Sequence, residues 1–218
     1  MTAPTITRSD SHEYTVGGRP FVGVTTVIGS VIRKPGLERW IGELGNAEAE
    51  RVRNKAASHG TLVHALAALV VEGVPSIPMG DEDAPAQAQL DAFTDWYEQY
   101  VAEVYAVELM VAHEDYHYAG QLDFLLRMKR HKVPVIIDVK SGKAVYPEMR
   151  YQTAAYREAA RSELQSYGLD VRACRRGVLH IPSDSPGGIR FYEHTRHQSD
   201  FQGFLSCLFL FSDLKRGV

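Results

Sequence analysis

One apolar run constrains the fold of this chain more than any other segment. Residues 133–140 read VPVIIDVK, a nearly continuous run that is typical of a β-strand covered on both faces. The same run contains Asp138 and Lys140, and ionised side chains are costly to bury unless they are paired or bound to a metal. The segment therefore predicts a layered fold around a central sheet, with a buried charged site at the end of one strand.

The rest of the chain alternates between helical and strand patterns, and its 218 residues with 44% hydrophobic content allow one domain over 1–218. The predicted elements are a glycine-turn hairpin over 12–28, helices over 35–57 and 60–71, a loop over 73–85, a helix over 87–103, strands over 104–113, 118–128 and 133–140, a helix over 148–167, strands over 173–181 and 189–194, and a helix over 198–214. We expect a mixed α/β fold: a central mixed sheet flanked by helices, with the order αβββαβ at its centre and an added N-terminal hairpin and helix.

Composition excludes several classes of protein. The two cysteines cannot supply the four thiolates of an iron–sulfur cluster, so a metal would be held by oxygen and nitrogen atoms, which favours a hard cation. Neither nucleotide-binding glycine motif occurs, and no nucleotide cofactor is expected. No apolar run approaches the roughly 18 residues of a membrane helix, and no secretory signal is evident, so a cytoplasmic protein is expected. A net charge of −3 argues against indiscriminate coating of nucleic acid.

Strand periodicity predicts where the buried charges lie. Asp138 and Lys140 share one face of their strand, with Val139 opposite. If residues 129–132 form an even-length turn, Asp123 lies directly across from Asp138, with Cβ atoms about 5 Å apart. Two carboxylates at that distance repel each other or share a cation, and we expect a metal. If the preceding turn is flanked by Glu114 and His117, Glu108 joins the same row, although a one-residue slip would move it to the other face.

An alternative explanation needs no metal. Asp123, Asp138 and Lys140 would then form a structural ion-pair network at the end of the sheet. Two acids and one lysine leave a negative excess, which favours the metal.

Four motifs follow one another along the chain: Gly60-Thr61-Leu62-Val63-His64 on a helix, GQLD ending at Asp123, IIDVK with Asp138 and Lys140, and QTAAY with Gln152 and Tyr156. In this order they resemble the RecB-like branch of the PD-(D/E)XK nuclease superfamily. The resemblance covers about residues 60–181, which would be a restriction-endonuclease-like core. Residues 1–57 would extend it at the N-terminus, and residues 188–218 would add a C-terminal strand and helix.

The resemblance implies roles for individual residues. His64, Asp123 and Asp138 would be metal ligands, together with the main-chain carbonyl of Val139, and Lys140 would contact the attacking water or the scissile phosphate. Mg²⁺ is the implied ion, with Mn²⁺ able to substitute. By its helix alone, His64 is better explained as a core histidine, and the resemblance reverses that preference.

Gln152 and Tyr156 lie four residues apart and therefore share a helix face. The resemblance makes them catalytic-site residues that orient the metal site or the DNA backbone. The alternative is a core tyrosine with an exposed glutamine beside it.

The predicted activity is that of a metal-dependent DNA exonuclease acting in phage DNA recombination or repair, in the bacterial host cytoplasm. Its partners would be DNA and a single-strand annealing or recombination protein. A structure-selective or nicking endonuclease on the same core is one alternative. A module that binds DNA without cleaving it is another, and the intact Asp123, Asp138 and Lys140 argue against it.

Overall fold

The computed structural model describes residues 4–9, 13–74 and 84–216. Its strands are β1 (Ile6–Arg8), β2 (Tyr14–Val16), β3 (Arg19–Gly23), β4 (Val101–His113), β5 (Tyr118–Met128), β6 (Pro134–Lys140), β7 (Arg175–His180) and β8 (Arg190–Glu193). Its α-helices are α1 (Val24–Val31), α2 (Pro35–Leu44), α3 (Asn46–Val71), α4 (Ala84–Tyr100), α5 (Met149–Ala159), α6 (Arg161–Ser166) and α7 (His197–Arg216).

The strands within the described residues form one mixed sheet. Its order is β1-β2-β3-β5-β6-β7-β8, and β4 pairs with β5. The pairs β4–β5 and β5–β6 are antiparallel, whereas β3–β5 and β6–β7 are parallel. The predicted class is therefore confirmed: a mixed α/β fold whose central sheet is flanked by helices, with the order αβββαβ running from α4 to β7 when α5 and α6 count as one helical segment.

The sheet opens in the middle of β5. Strand β4 covers one edge of β5 along its whole length. The other edge pairs with β3 at residues 118 and 119 and with β6 from residue 124 to residue 127. Residues 120–123 therefore lie between two partner strands. This gap leaves room for side chains from the helices to approach β5.

Helices pack on both sides of the sheet, as the apolar run of β6 predicted. Val135, Ile137 and Val139 belong to a core cluster that includes residues of α3 and α4. Ile136, between them, belongs to a second cluster with residues of α1, α5 and α7. This alternation is the two-residue period of a β-strand. None of the described helices is long and apolar enough to cross a membrane.

Several predicted boundaries are wrong. The hairpin predicted over 12–28 ends at Gly23, because Val24, Val27 and Ile28 form the buried face of helix α1. These positions have helical spacing, and their burial outweighs the modest helix propensity of β-branched residues. The first residue of the predicted hairpin, residue 12, lies outside the described residues. So do residues 75–83, which are most of the loop predicted over 73–85.

The predicted helices over 35–57 and 60–71 divide elsewhere. The break falls at Gly45, whose φ of 80° is left-handed and favours glycine, so α3 continues without interruption to Val71. The helix predicted over 87–103 ends at Tyr100, and the one predicted over 148–167 consists of α5 and α6.

Candidate metal centre

Both predicted strand registers are confirmed. Phe124 pairs with Ile137 as the last pair of β5 with β6, and the same register places Asp123 opposite Asp138 just beyond it. On the other side, Val107 pairs with Phe124 and Leu109 with Leu122, so Glu108 lies opposite Asp123. The three carboxylates therefore come from three adjacent strands. Short turns fix these registers, and the register decides which face each acid occupies.

The acids line a cavity of about 520 Å³ beside helix α3. Its lining includes all the side chains that the motifs predicted: His64, Asp123, Asp138, Lys140, Gln152 and Tyr156. Glu108 lines it as well. The cavity also receives Arg8 and Tyr14 from the N-terminal strands, which the sequence did not predict because no local pattern connects residue 8 to residue 123.

Asp123 connects helix α3 to strand β6. Its Oδ1 lies 3.2 Å from Nδ1 of His64, and its Oδ2 accepts a hydrogen bond of 2.5 Å from the Val139 N–H. Burial alone would raise the pKa of Asp123, but His64 and Lys140, with the Val139 N–H, lower it. Burial would lower the pKa of His64, and Asp123 raises it above its ordinary value. The two side chains thus stabilise each other's charged forms.

Asp138 is held by two cationic or amide groups. Its Oδ1 accepts a hydrogen bond of 2.8 Å from Gln152 Nε2, and its Oδ2 lies 2.7 Å from Lys140 Nζ. Among the described residues, no directed hydrogen bond reaches that Oδ2, so its contact is the ion pair alone. Burial raises the pKa of Asp138, and Asp123 adds to the effect, although Lys140 opposes it. Lys140 therefore only partly offsets the burial of Asp138 and its repulsion from Asp123.

Lys140 is cationic in this setting. Burial would lower its pKa, but Asp138 and Asp123 raise it above the ordinary value. Its ammonium group therefore stays charged beside the two acids. A fixed positive charge at this position can stabilise negative charge that develops on a bound group.

Gln152 and Tyr156 are both buried, and the alternative in which Gln152 is exposed is wrong. Gln152 Nε2 lies 3.1 Å from the Tyr156 hydroxyl as well as donating to Asp138. The tyrosine ring packs over Gly120, where a Cβ would come within 2.3 Å of ring atom Cε1. The glycine that begins the GQLD motif is therefore required for Tyr156 to reach the gap in the sheet.

Glu108 has an unusual backbone and an unusual acidity. Its φ of 50° is in the left-handed region, which is uncommon for a residue other than glycine. Gln121 Nε2 donates a hydrogen bond of 3.1 Å to its carbonyl. Burial, followed by the charge of Asp123, raises the pKa of Glu108 to about 7. Such backbone strain is typical of functional sites.

The donor set fits a divalent cation. Ligand atoms of His64, Glu108 and Asp123 lie within 4.8 Å of one another. They are one nitrogen and two carboxylate oxygens, which suit Mg²⁺ or Mn²⁺. Asp138 lines the same cavity. Val139 is buried and donates its N–H to Asp123, and its carbonyl stays a predicted ligand.

A buried glutamine that the sequence analysis missed supports the strand ends. Gln89 on α4 donates hydrogen bonds to the carbonyls of Ser141 and Ile181, directly after β6 and β7. Its Oε1 lies 2.5 Å from His59 Nε2 on α3. The sequence feature that could have indicated Gln89 is a polar residue on the apolar face of a predicted helix. Its effect is to fix the segment that follows Lys140.

Comparisons with known proteins give little beyond this geometry. No protein-family model matches the chain, and no curated protein matches its sequence. Among solved structures, the chain is similar to a candidate exonuclease from Eubacterium rectale, with 14% identity and a TM-score of 0.49. The match covers 69% of this chain and 63% of the Eubacterium rectale protein. This chain therefore spans less than two thirds of the length of that protein. A similarity of this size carries no argument about function.

Proposed function

We propose that this chain is a metal-dependent nuclease that hydrolyses phosphodiester bonds of DNA. The observation that carries the proposal is the meeting of His64, Glu108, Asp123, Asp138 and Lys140 around one cavity of about 520 Å³. Three acids meet there with a histidine and a fixed cation, a set that can hold a divalent ion and offset negative charge on a phosphate. The four motifs of the RecB-like pattern support the same activity.

His64, Asp123 and Asp138 would hold Mg²⁺, with Glu108 and the Val139 carbonyl as further oxygen donors. When bound, such an ion lowers the pKa of water and neutralises charge on a phosphate. Lys140 supplies its positive charge beside the scissile phosphate, where negative charge develops in the transition state. Gln152 orients Asp138, and Tyr156 holds Gln152 in place.

We infer that cleavage starts from DNA ends. The resemblance to RecB-like exonucleases supports cleavage from ends. The lack of a recognisable zinc-finger or helix-turn-helix motif for reading base sequence supports it as well. A place in phage recombination or repair, a cytoplasmic location and an annealing partner follow from the same resemblance. So does the expectation that Mn²⁺ substitutes for Mg²⁺.

End-labelled linear DNA and closed circular duplex, each incubated with Mg²⁺ or Mn²⁺, test the proposal. We expect the linear form to shorten progressively and the circle to resist. Asp138→Asn should abolish cleavage, because it removes the charge next to Lys140, whereas Asp95→Asn on the exposed side of α4 should not. Rapid nicking or linearisation of the circle, absent in Asp138→Asn, would instead indicate an endonuclease. If neither DNA is cleaved, the alternative of a module that binds DNA without cleaving it is favoured.

A further inference from the structure

The cavity of about 520 Å³ that the three acids line is called the metal cavity, after its proposed ligand. A groove adjoins it along helix α3. It has a volume of about 770 Å³ and lies between α2, the first half of α3 and the segment after β6. Ala56 lines this groove and the next residue, Ala57, lines the metal cavity. Lys140, the last residue of β6, lines the cavity, and Lys143, three residues later, lines the groove. The two depressions therefore follow one another along the same two elements.

The groove is positively charged in a chain whose net charge is −3. Its lining contains four cations and one acid, Arg33, Lys34, Arg53, Lys143 and Glu148. Arg33 is paired with Glu38, and Lys34 lies 3.4 Å from Glu148. Within the described part of the chain, no carboxylate lies within ion-pair distance of Arg53 or Lys143. Two cations are therefore available to a negatively charged ligand.

Two aromatic side chains line the same groove. They are Trp40 on α2 and Tyr146, which is 52% exposed. Helix α2 has no buried residue, so neither the helix nor this tryptophan is part of the two main cores. An exposed aromatic face beside free cations matches the chemistry of a nucleic acid strand, in which flat bases alternate with phosphates. In a duplex the bases stack on each other and their faces are not available.

We propose that this groove binds a single strand of DNA that leads to the metal cavity. Phosphates contact Arg53 and Lys143, and bases stack on Tyr146 and Trp40. That the strand leads to a site of cleavage rests on the proposed function, but strand binding itself does not. The substrate is then a DNA end with an unpaired strand, because a paired end cannot offer base faces to the aromatic residues.

Strand binding is measured on the full chain carrying Asp138→Asn, so that no cleavage interferes. The probe is a fluorescein-labelled oligothymidine, followed by anisotropy, with a blunt duplex of equal length as competitor. We expect Tyr146→Ala to weaken binding by about 10-fold or more, because a stacked base is lost. Arg53→Gln should lower the slope of log Kd against log salt by about 0.7, the value for one phosphate contact on a single strand.

Matched controls separate the groove from the general surface. Tyr167→Ala removes another exposed tyrosine, and Lys55→Gln removes an exposed cation of α3 that does not line the groove. Both should leave the affinity and the salt slope unchanged. Equal affinities for Tyr146→Ala and Tyr167→Ala would overturn the proposal, as would a duplex that binds as tightly as the single strand.

The same measurements distinguish the two proposals. If the unmodified chain cleaves no DNA but oligothymidine binding still depends on Tyr146 and Arg53, the nuclease function fails and the groove stands. If the chain cleaves DNA and neither substitution changes strand binding, the nuclease function stands and the groove is excluded.

Discussion

Two clusters of buried charged residues lie on this sheet, and they differ in how their charges are balanced. The metal cavity contains Glu108, Asp123 and Asp138, with Lys140 as a buried cation and His64, whose pKa Asp123 raises. The second cluster is centred on Arg176 of β7, which is 0% exposed. Its guanidinium donates hydrogen bonds to Asp200, to the Thr153 hydroxyl, to a main-chain carbonyl and to His197. Each of the three nitrogens of the Arg176 guanidinium thus has a hydrogen-bond partner in the protein.

The comparison shows that burial of charge does not by itself mark a functional site. In the Arg176 cluster each oxygen of Asp200 has a cationic partner, since Oδ2 accepts from Arg176 and Oδ1 lies 3.5 Å from Nε of Arg150. In the metal cavity three acids face Lys140 and His64, one carboxylate oxygen has an ion pair but no directed hydrogen bond, and the site is open. An acid with an incompletely bonded oxygen in an accessible cavity is therefore the useful signal.

The largest expected effect concerns the Arg176 cluster. Arg176→Met should lower the free energy of unfolding by about 3–5 kcal/mol, because it leaves Asp200 buried without its main partner. Urea denaturation measures the loss. The double variant Arg176→Met/Asp200→Asn should recover much of it, since no charged carboxylate is then buried and Arg150, which also contacts Asp200, is partly exposed. If Arg176→Met is as stable as the unmodified protein, the ion pair contributes nothing to stability, and the contrast between the two clusters is wrong.

A somewhat smaller effect is expected in the metal cavity, and on activity instead of stability. Lys140→Ala should reduce cleavage by about 10²–10³-fold, because it removes charge stabilisation in the transition state. Calorimetric titration with Mn²⁺ should give nearly unchanged binding in this variant and none in Asp123→Ala. The control Lys55→Ala should cleave normally. Unfolding of Lys140→Ala would favour the structural ion-pair network, and full activity would exclude the catalytic role.

The smallest effect is a pH dependence of the Arg176 cluster. His194 Nδ1 lies 2.9 Å from Thr153 Oγ1, and burial, followed by the charge of Arg176, lowers the pKa of His194 to about 4. The unfolded chain therefore binds a proton that the folded protein excludes. The free energy of unfolding should decrease as the pH falls from about 6.5 to about 4 and show no further change from this group below that.

Denaturation at several pH values measures this slope. His194→Gln should make it shallower, whereas His131→Gln should leave it unchanged. An identical slope in the His194 variant would mean that the cluster accepts a proton at no cost, so that its charges are not balanced as the hydrogen bonds indicate.

Much of the metal cavity could be predicted from the sequence, because its acids lie on neighbouring strands joined by short turns. The two-residue period placed Asp138 and Lys140 on one face, and turn lengths placed Asp123 and Glu108 in the same row. These are local constraints, since a short turn fixes the register of the strands it connects. The helix-face relation of Gln152 and Tyr156 is equally local.

Only the tertiary structure decided the features that depend on distant segments. Arg176 and Asp200 become partners because α7 packs near β7, and nothing in their local sequence specifies that pairing. Likewise, Arg8 and Tyr14 reach the cavity because β3 pairs in parallel with the start of β5. Helix α1 replaced a predicted strand since burial of its apolar face against the core outweighs local propensity. Long-range packing energy, which no short window of sequence contains, selects these arrangements.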